Sequence, residues 1–146
     1  MCNPLSFSPL AIFKNPRAGD FHESTFLKSG GYERARREIS SWPEYQPTPL
    51  VPLPGLARAA GLDAIWYKDE GGRFGLGSFK ALGGAYALSH HLIGAIRETT
   101  GATATTADLI DGTYRDLTSK ITVTSATDGN HGRSVAWGAQ MFGCQC

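Results

Sequence analysis

The feature that most constrains this chain is an order of elements that occurs twice. Residues 64–68, AIWYK, are aromatic and β-branched and predict a strand. A glycine-rich loop follows, and then apolar residues recur at helical spacing. Further on, ITVTSA at 121–126 predicts a second strand, TDGNHG at 127–132 a loop, and RSVAWGAQMFG a second amphipathic helix. Strand, glycine loop and helix, taken twice, predict an α/β fold with a parallel sheet flanked by helices. In such sheets ligands sit beyond the carboxyl ends of the strands. Both loops lie at those ends, so the two can face one ligand.

The remaining segments fit around that pattern. The first of the two helices is expected to start at Ser78 as N-cap and to fade near Gly101. Leu82, Ala85, Tyr86, Leu88, Ser89, Leu92, Ile93 and Ile96 would form its apolar face. The threonine-rich stretch 101–120 reads as a surface connection with a short helix near its middle. Upstream, PTPLVPLPGL at 47–56 holds four prolines and predicts an extended segment packed by its leucines. GLARAAG then predicts a helical turn or two ending at Gly61, and ERARREIS at 33–40 a short helix. We divide the chain into an extended and helical segment, 1–63, and a partial α/β domain, 64–146. Two parallel strands make a poor core. Cys144-Gln145-Cys146 is expected to open a further strand, and the fold to be incomplete at its C-terminus, as the amino-terminal part of something longer.

Bulk properties narrow the function. The 146 residues carry a net charge of +1, which gives no field for nucleic acid or acidic lipid. RARR at 34–37 is followed by Glu38 and reads as a solvated helix face. No apolar run reaches membrane-spanning length and the N-terminus has no secretory pattern, so a cytoplasmic location is expected. Cys2, Cys144 and Cys146 support neither a disulfide framework nor a metal site.

The chemistry is concentrated in the two loops. GLGSFKALGG at 75–84 sets one lysine, Lys80, among four glycines. Glycine clears space for the close approach of another molecule. The positive end of a helix dipole and packing by Phe79 and Leu82 would both disfavour a charged ammonium there, leaving a nucleophilic amine suited to an aldehyde. The plainer alternative is a lysine snorkelling from a helix start. A phosphate loop does not fit, because Ser78 stands where GxxxxGK[ST] needs lysine. In TDGNHG, Gly129 and Gly132 let the backbone turn with its N–H groups exposed at a helix start, a site for a carboxylate. Asn130 offers a donor and an acceptor suited to a phenolic oxygen. Asp128 is out of place in an anion site unless it handles protons or an ammonium; otherwise it is a turn former. His131 is a proton carrier or a structural loop histidine.

SFKALGGAYA followed by TDGNHGRSVAW resembles the fold-type II pyridoxal-phosphate enzymes of the tryptophan synthase beta-like superfamily. Within them the runs YQPTPLVPLPGLARAAGL, IWYKDEGGRFGLGSFKALGGAYA and TDGNHGRSVAWGAQ are most similar to the diaminopropionate ammonia-lyases. The mark of that group is Asp128 before Gly-Asn-His-Gly, where dehydratases more often carry serine. The resemblance covers most of residues 42–143 and implies pyridoxal 5'-phosphate as cofactor. Lys80 would be the Schiff-base lysine, Asn130 would contact the ring oxygen, and Thr127, Gly129, His131 and Gly132 would hold the substrate carboxylate. Asp128 would act as acid–base group toward a D-substrate. The reaction would be α,β-elimination of 2,3-diaminopropionate to pyruvate and ammonia, in a homodimer when full length. The family's phosphate loop would lie further along the chain, and nothing after residue 84 provides one. A threonine/serine dehydratase-like enzyme and a catalytically inactive truncated fragment stay open as alternatives.

Overall fold

The computed structural model describes residues 29–127 and 129–146. ERARREIS falls within α1, Ser29–Ser40. The proline-rich stretch then supplies β1, Leu50–Pro52, and α2, Pro54–Ala60, which Gly61 ends in the left-handed region as expected. AIWYK supplies β2, Trp66–Lys68.

These two strands form a two-stranded sheet among the described residues. β1 pairs with β2 antiparallel, Leu50 opposite Lys68 and Pro52 opposite Trp66. Backbone bonds from Leu53 N to Ile65 O and from Asp69 N to Pro49 O extend the ladder at both ends. AIWYK therefore pairs with the nearby proline-rich segment and not with ITVTSA. A partner just across α2 closes a short loop, and short loops cost less entropy than long ones. ITVTSA makes one isolated parallel bridge among the described residues, Thr122 with Gln145. There Val123 N donates to Gln145 O, and Gln145 N donates to Ile121 O. The leucines of the proline-rich segment are not packed as expected either. Leu50, within the ladder, is 58% exposed and Leu56, on α2, 51%, whereas Leu53 is half-buried.

Two helices make the centre. α3, Lys80–Thr100, buries Ala81, Gly84, Ala85, Leu88, Ser89, Leu92 and Ile96, and Gly101 ends it. The threonine-rich connection holds α4, Thr106–Ile110, and α5, Arg115–Thr118. Thr105 and Asp108 close a capping box at the start of α4. α6, Asn130–Phe142, buries Ser134, Val135, Gly138, Ala139 and Phe142. Trp42, Leu92, Ile96, Leu109 and Phe142 complete the core with Phe74. No helix among the described residues is long and apolar enough to cross a membrane.

α3 and α6 approach closely because the facing residues are small. A Cβ added to Gly138 would lie 3.0 Å from both Cα and Cβ of Ala85 and 3.5 Å from Leu88 Cδ2. One added to Gly84 would meet Ser134 Oγ and lie 3.0 Å from Ser134 Cβ. The contact advances from 84 and 134 to 88 and 138, one helical turn on each partner. The two helices thus run parallel, with their first turns side by side. That arrangement brings the two glycine loops together.

Candidate active site

The loop before Lys80 is held from behind by a polar network. Glu70 opens a tight 3₁₀ segment, Glu70–Gly75, which Asp69 caps by accepting from Gly71 N at 3.0 Å. Arg73 is 6% exposed and donates to both Glu70 oxygens at 2.9 Å, to Gln46 O at 2.9 Å and to Thr48 Oγ1 at 3.0 Å. The Arg73 guanidinium beside it pulls the Glu70 carboxyl down to about 2. The carboxylate in turn raises the arginine further. Phe74 takes a left-handed φ of 48°, which a non-glycine residue adopts at a cost. Its ring is buried against Trp137, centroids 4.7 Å apart, and against Trp42 and Tyr45, which fixes it there. Gly77, at φ 74°, then turns the chain toward α3, and a side chain there would be strained.

α3 begins at Lys80 with Phe79 as N-cap, one residue later than expected. Ser78 is not the N-cap, but its Oγ accepts from Lys80 N at 3.1 Å and so satisfies a first-turn donor. The side chain of Lys80 is half-buried. It lines an open cleft of about 470 Å³ together with Phe79, Leu82, Gly83, Gly84 and His131. Phe79 is 62% exposed, so the expected packing around the amine comes from Leu82 and the glycine face of α3. The cleft joins Lys80 to His131, the first loop to the second.

The second loop runs into its helix early. α6 starts at Asn130, so Asn130, His131 and Gly132 form its first turn. Gly129 precedes it at φ 134°, a conformation that favours glycine. Thr127 Oγ1 accepts from Gly129 N at 3.0 Å and from Gly132 N at 2.8 Å. These two amides therefore turn onto the loop itself, where open N–H groups were expected. A Cβ on Gly132 would lie 2.5 Å from Thr127 Cγ2, so only glycine leaves room for this closure. Thr127, Gly129, Asn130 and His131 are exposed at the head of α6. Asp128 lies outside the described residues, as does Cys2. No group of three or more His, Cys, Asp or Glu suited to a metal occurs among the described residues.

Sequence reasoning missed two groups of residues. Arg73 and Glu70 stand three apart with opposite charge, a spacing that would have marked them as a pair. Gly84, Ser134 and Gly138 carry the helix contact. Glycine inside a strong helical pattern was the available signal.

The "Diaminopropionate ammonia-lyase" of Escherichia coli (strain K12) is 43% identical over 103 residues, which are 68% of this chain and 24% of that protein. The Salmonella typhimurium (strain LT2) protein of the same name is 40% identical over 101 residues, 69% of this chain and 25% of its own length. The chain thus spans about a quarter of the length of these curated relatives. Among solved structures, the apo form of Escherichia coli diaminopropionate ammonia lyase superposes with a TM-score of 0.64 at 38% identity, over 82% of this chain and 31% of that one. The same enzyme in complex with D-serine gives 0.61 at 35%, over 83% and 30%. A family model described as "Pyridoxal-phosphate dependent enzyme" matches residues 42–146. That span holds both glycine loops, the Lys80 cleft and the two parallel helices behind it, and the chain belongs to the pyridoxal-phosphate dependent enzyme family.

Proposed function

We propose that this chain carries part of the active site of a lyase that removes ammonia from 2,3-diaminopropionate by α,β-elimination, yielding pyruvate. The observation that carries the reading is the cleft shared by Lys80 and His131, where the first turns of α3 and α6 meet. The names of the relatives support the substrate.

The residues present fit the reactive end of pyridoxal phosphate. A primary amine stands in a cleft that Gly83 and Gly84 also line, with open space beside Gly83, and an amide side chain lies at the neighbouring helix start. Lys80 would hold the cofactor through its amine, and Asn130 would contact the ring oxygen. When bound, the cofactor supplies the electron sink for the elimination. Thr127 shapes the 127–132 loop by accepting two of its amides, and the head of α6 favours an anion. Thr127, Gly129, His131 and Gly132 would orient the substrate carboxylate there. Asp128 would take the α-proton of a D-substrate. We also propose that the Thr122–Gln145 bridge belongs to the parallel sheet that the element order predicts.

The test is the visible absorbance of the purified chain mixed with pyridoxal phosphate, beside Lys80→Ala. A cofactor band in the wild type alone supports the role of Lys80, and an equal band in the variant refutes it. In the complete enzyme, Asp128→Asn should impair D-diaminopropionate more than the L-form. Equal losses for both enantiomers would remove Asp128 from the proton transfer.

A further inference from the structure

α1 precedes the family-matched span, yet it is fixed to the body by a specific anchor. Glu38 is 17% exposed and its carboxylate accepts from Ser89 Oγ at 3.0 Å and from Thr106 Oγ1 at 2.5 Å. Ser89 and Thr106 are buried, on α3 and α4 respectively. The other Glu38 oxygen pairs with His90 Nε2 at 3.2 Å. Three partners on two other helices set both the position and the rotation of α1. Its docking leaves a cavity of about 290 Å³ between α1 and the loop network, lined by Tyr32, Ala35, Arg36, Ile39, Tyr45 and Leu82 over Arg73.

The chemistry of this cavity is uneven. Its walls are mainly aliphatic and aromatic. Arg73, which also lines it, already makes four hydrogen bonds to Glu70, Gln46 and Thr48. Among the described residues Arg36 has no ion pair or hydrogen bond and no carboxylate lines the cavity. An apolar hollow with one available guanidinium matches a ligand with an apolar body and one negative end. Leu82 lines this cavity and also the Lys80 cleft. A ligand here would touch a wall of the active site without entering it.

We propose that the α1 cavity is a second binding site, for a small apolar carboxylate, coupled to the Lys80 cleft through Leu82. Phenylacetate is a suitable probe and phenylacetamide its neutral counterpart. Titrated into the ¹⁵N-labelled chain, phenylacetate should shift amide resonances of α1 and of the turn around Leu82, with a Kd on the order of 1 mM. Arg36→Met keeps an apolar stem and removes the charge; it should weaken binding about tenfold. Ala35→Phe fills the hollow and should abolish binding. Arg36 is exposed, and the half-buried Ala35 faces the open hollow, so neither change removes a core contact. The proposal fails if phenylacetamide binds as tightly as phenylacetate, or if Arg36→Met leaves the affinity unchanged. It also fails if the shifts centre on Lys80 and His131, or if no shift appears at all.

Discussion

The closeness of α3 and α6 can be tested with one substitution made at two places. Gly94 and Gly138 both sit inside helices, so Gly→Ala should stabilise each helix by about 1 kcal/mol through propensity. Gly94 has open space where a Cβ would go. At Gly138 the new methyl would stand 3.0 Å from the Cα and Cβ of Ala85, well inside ordinary carbon–carbon contact. The Ala85 backbone cannot rotate away, so α3 must retreat by a few tenths of an ångström. Overpacking of this kind costs about 1–3 kcal/mol. Gly94→Ala should therefore gain about 1 kcal/mol, and Gly138→Ala should range from no change to a loss of about 2 kcal/mol. Urea unfolding followed by tryptophan fluorescence reads the difference, since Trp42 and Trp137 pack in the same aromatic cluster. At an m-value of about 1–2 kcal/mol/M, the two midpoints should separate by about 0.5–3 M. Equal midpoints would refute the claim that small residues set the helix spacing, and with it the account of why the two loops meet.

Three further outcomes follow from particular residues. The Glu70 carboxyl is held at about 2 in the folded chain against 4.5 when free, so its contribution, at most about 3 kcal/mol, is complete above pH 4.5 and is lost as the pH falls toward 2. Glu70→Gln should be less stable than wild type at pH 7 and the two urea midpoints should converge by pH 2; parallel curves would disprove the linkage. Gly132→Ala should break the Thr127 closure of the second loop and cost about 1–3 kcal/mol by the same unfolding assay, whereas an unchanged midpoint would mean the loop does not depend on it. Burial pushes the Cys144 thiol up while Cys146 is exposed, so brief iodoacetamide labelling at pH 8 should mark Cys146 several-fold faster by peptide mass spectrometry; the reverse order would contradict the burial.

What the sequence disclosed and what it withheld divide along a physical line. Helices were legible because their signals are local. Eight apolar or small positions at helical spacing located α3, and Gly61 and Gly101 marked two helix ends. Strand pairing depends on which segment lies nearby in three dimensions, and hydrophobic period says nothing of that. AIWYK therefore revealed its strand but not its antiparallel partner. Lys80 and the 127–132 loop stood out because glycine and a chemically versatile side chain coincide there. Arg73 hid, because a buried guanidinium reads in sequence like any surface arginine until Glu70, Thr48 and Gln46 are seen around it.

The same division says where the site gets its geometry. Lys80 lies one helical turn before Gly84, and Asn130 one turn before Ser134, where the two helices touch. A parallel contact so close to both N-termini holds the two first turns at a spacing set by residues that do no chemistry. Moving α3 by a few tenths of an ångström at Gly138 is a small lever on that spacing, whereas filling Gly84 acts one turn from the amine itself. If Gly84→Ala weakens pyridoxal-phosphate absorbance of the chain far more than Gly138→Ala does, at matched loss of stability, the first-turn spacing governs the cleft. If the two variants lose absorbance in proportion to stability alone, the cleft needs only a folded chain, and the position of Lys80 owes nothing special to the helix contact.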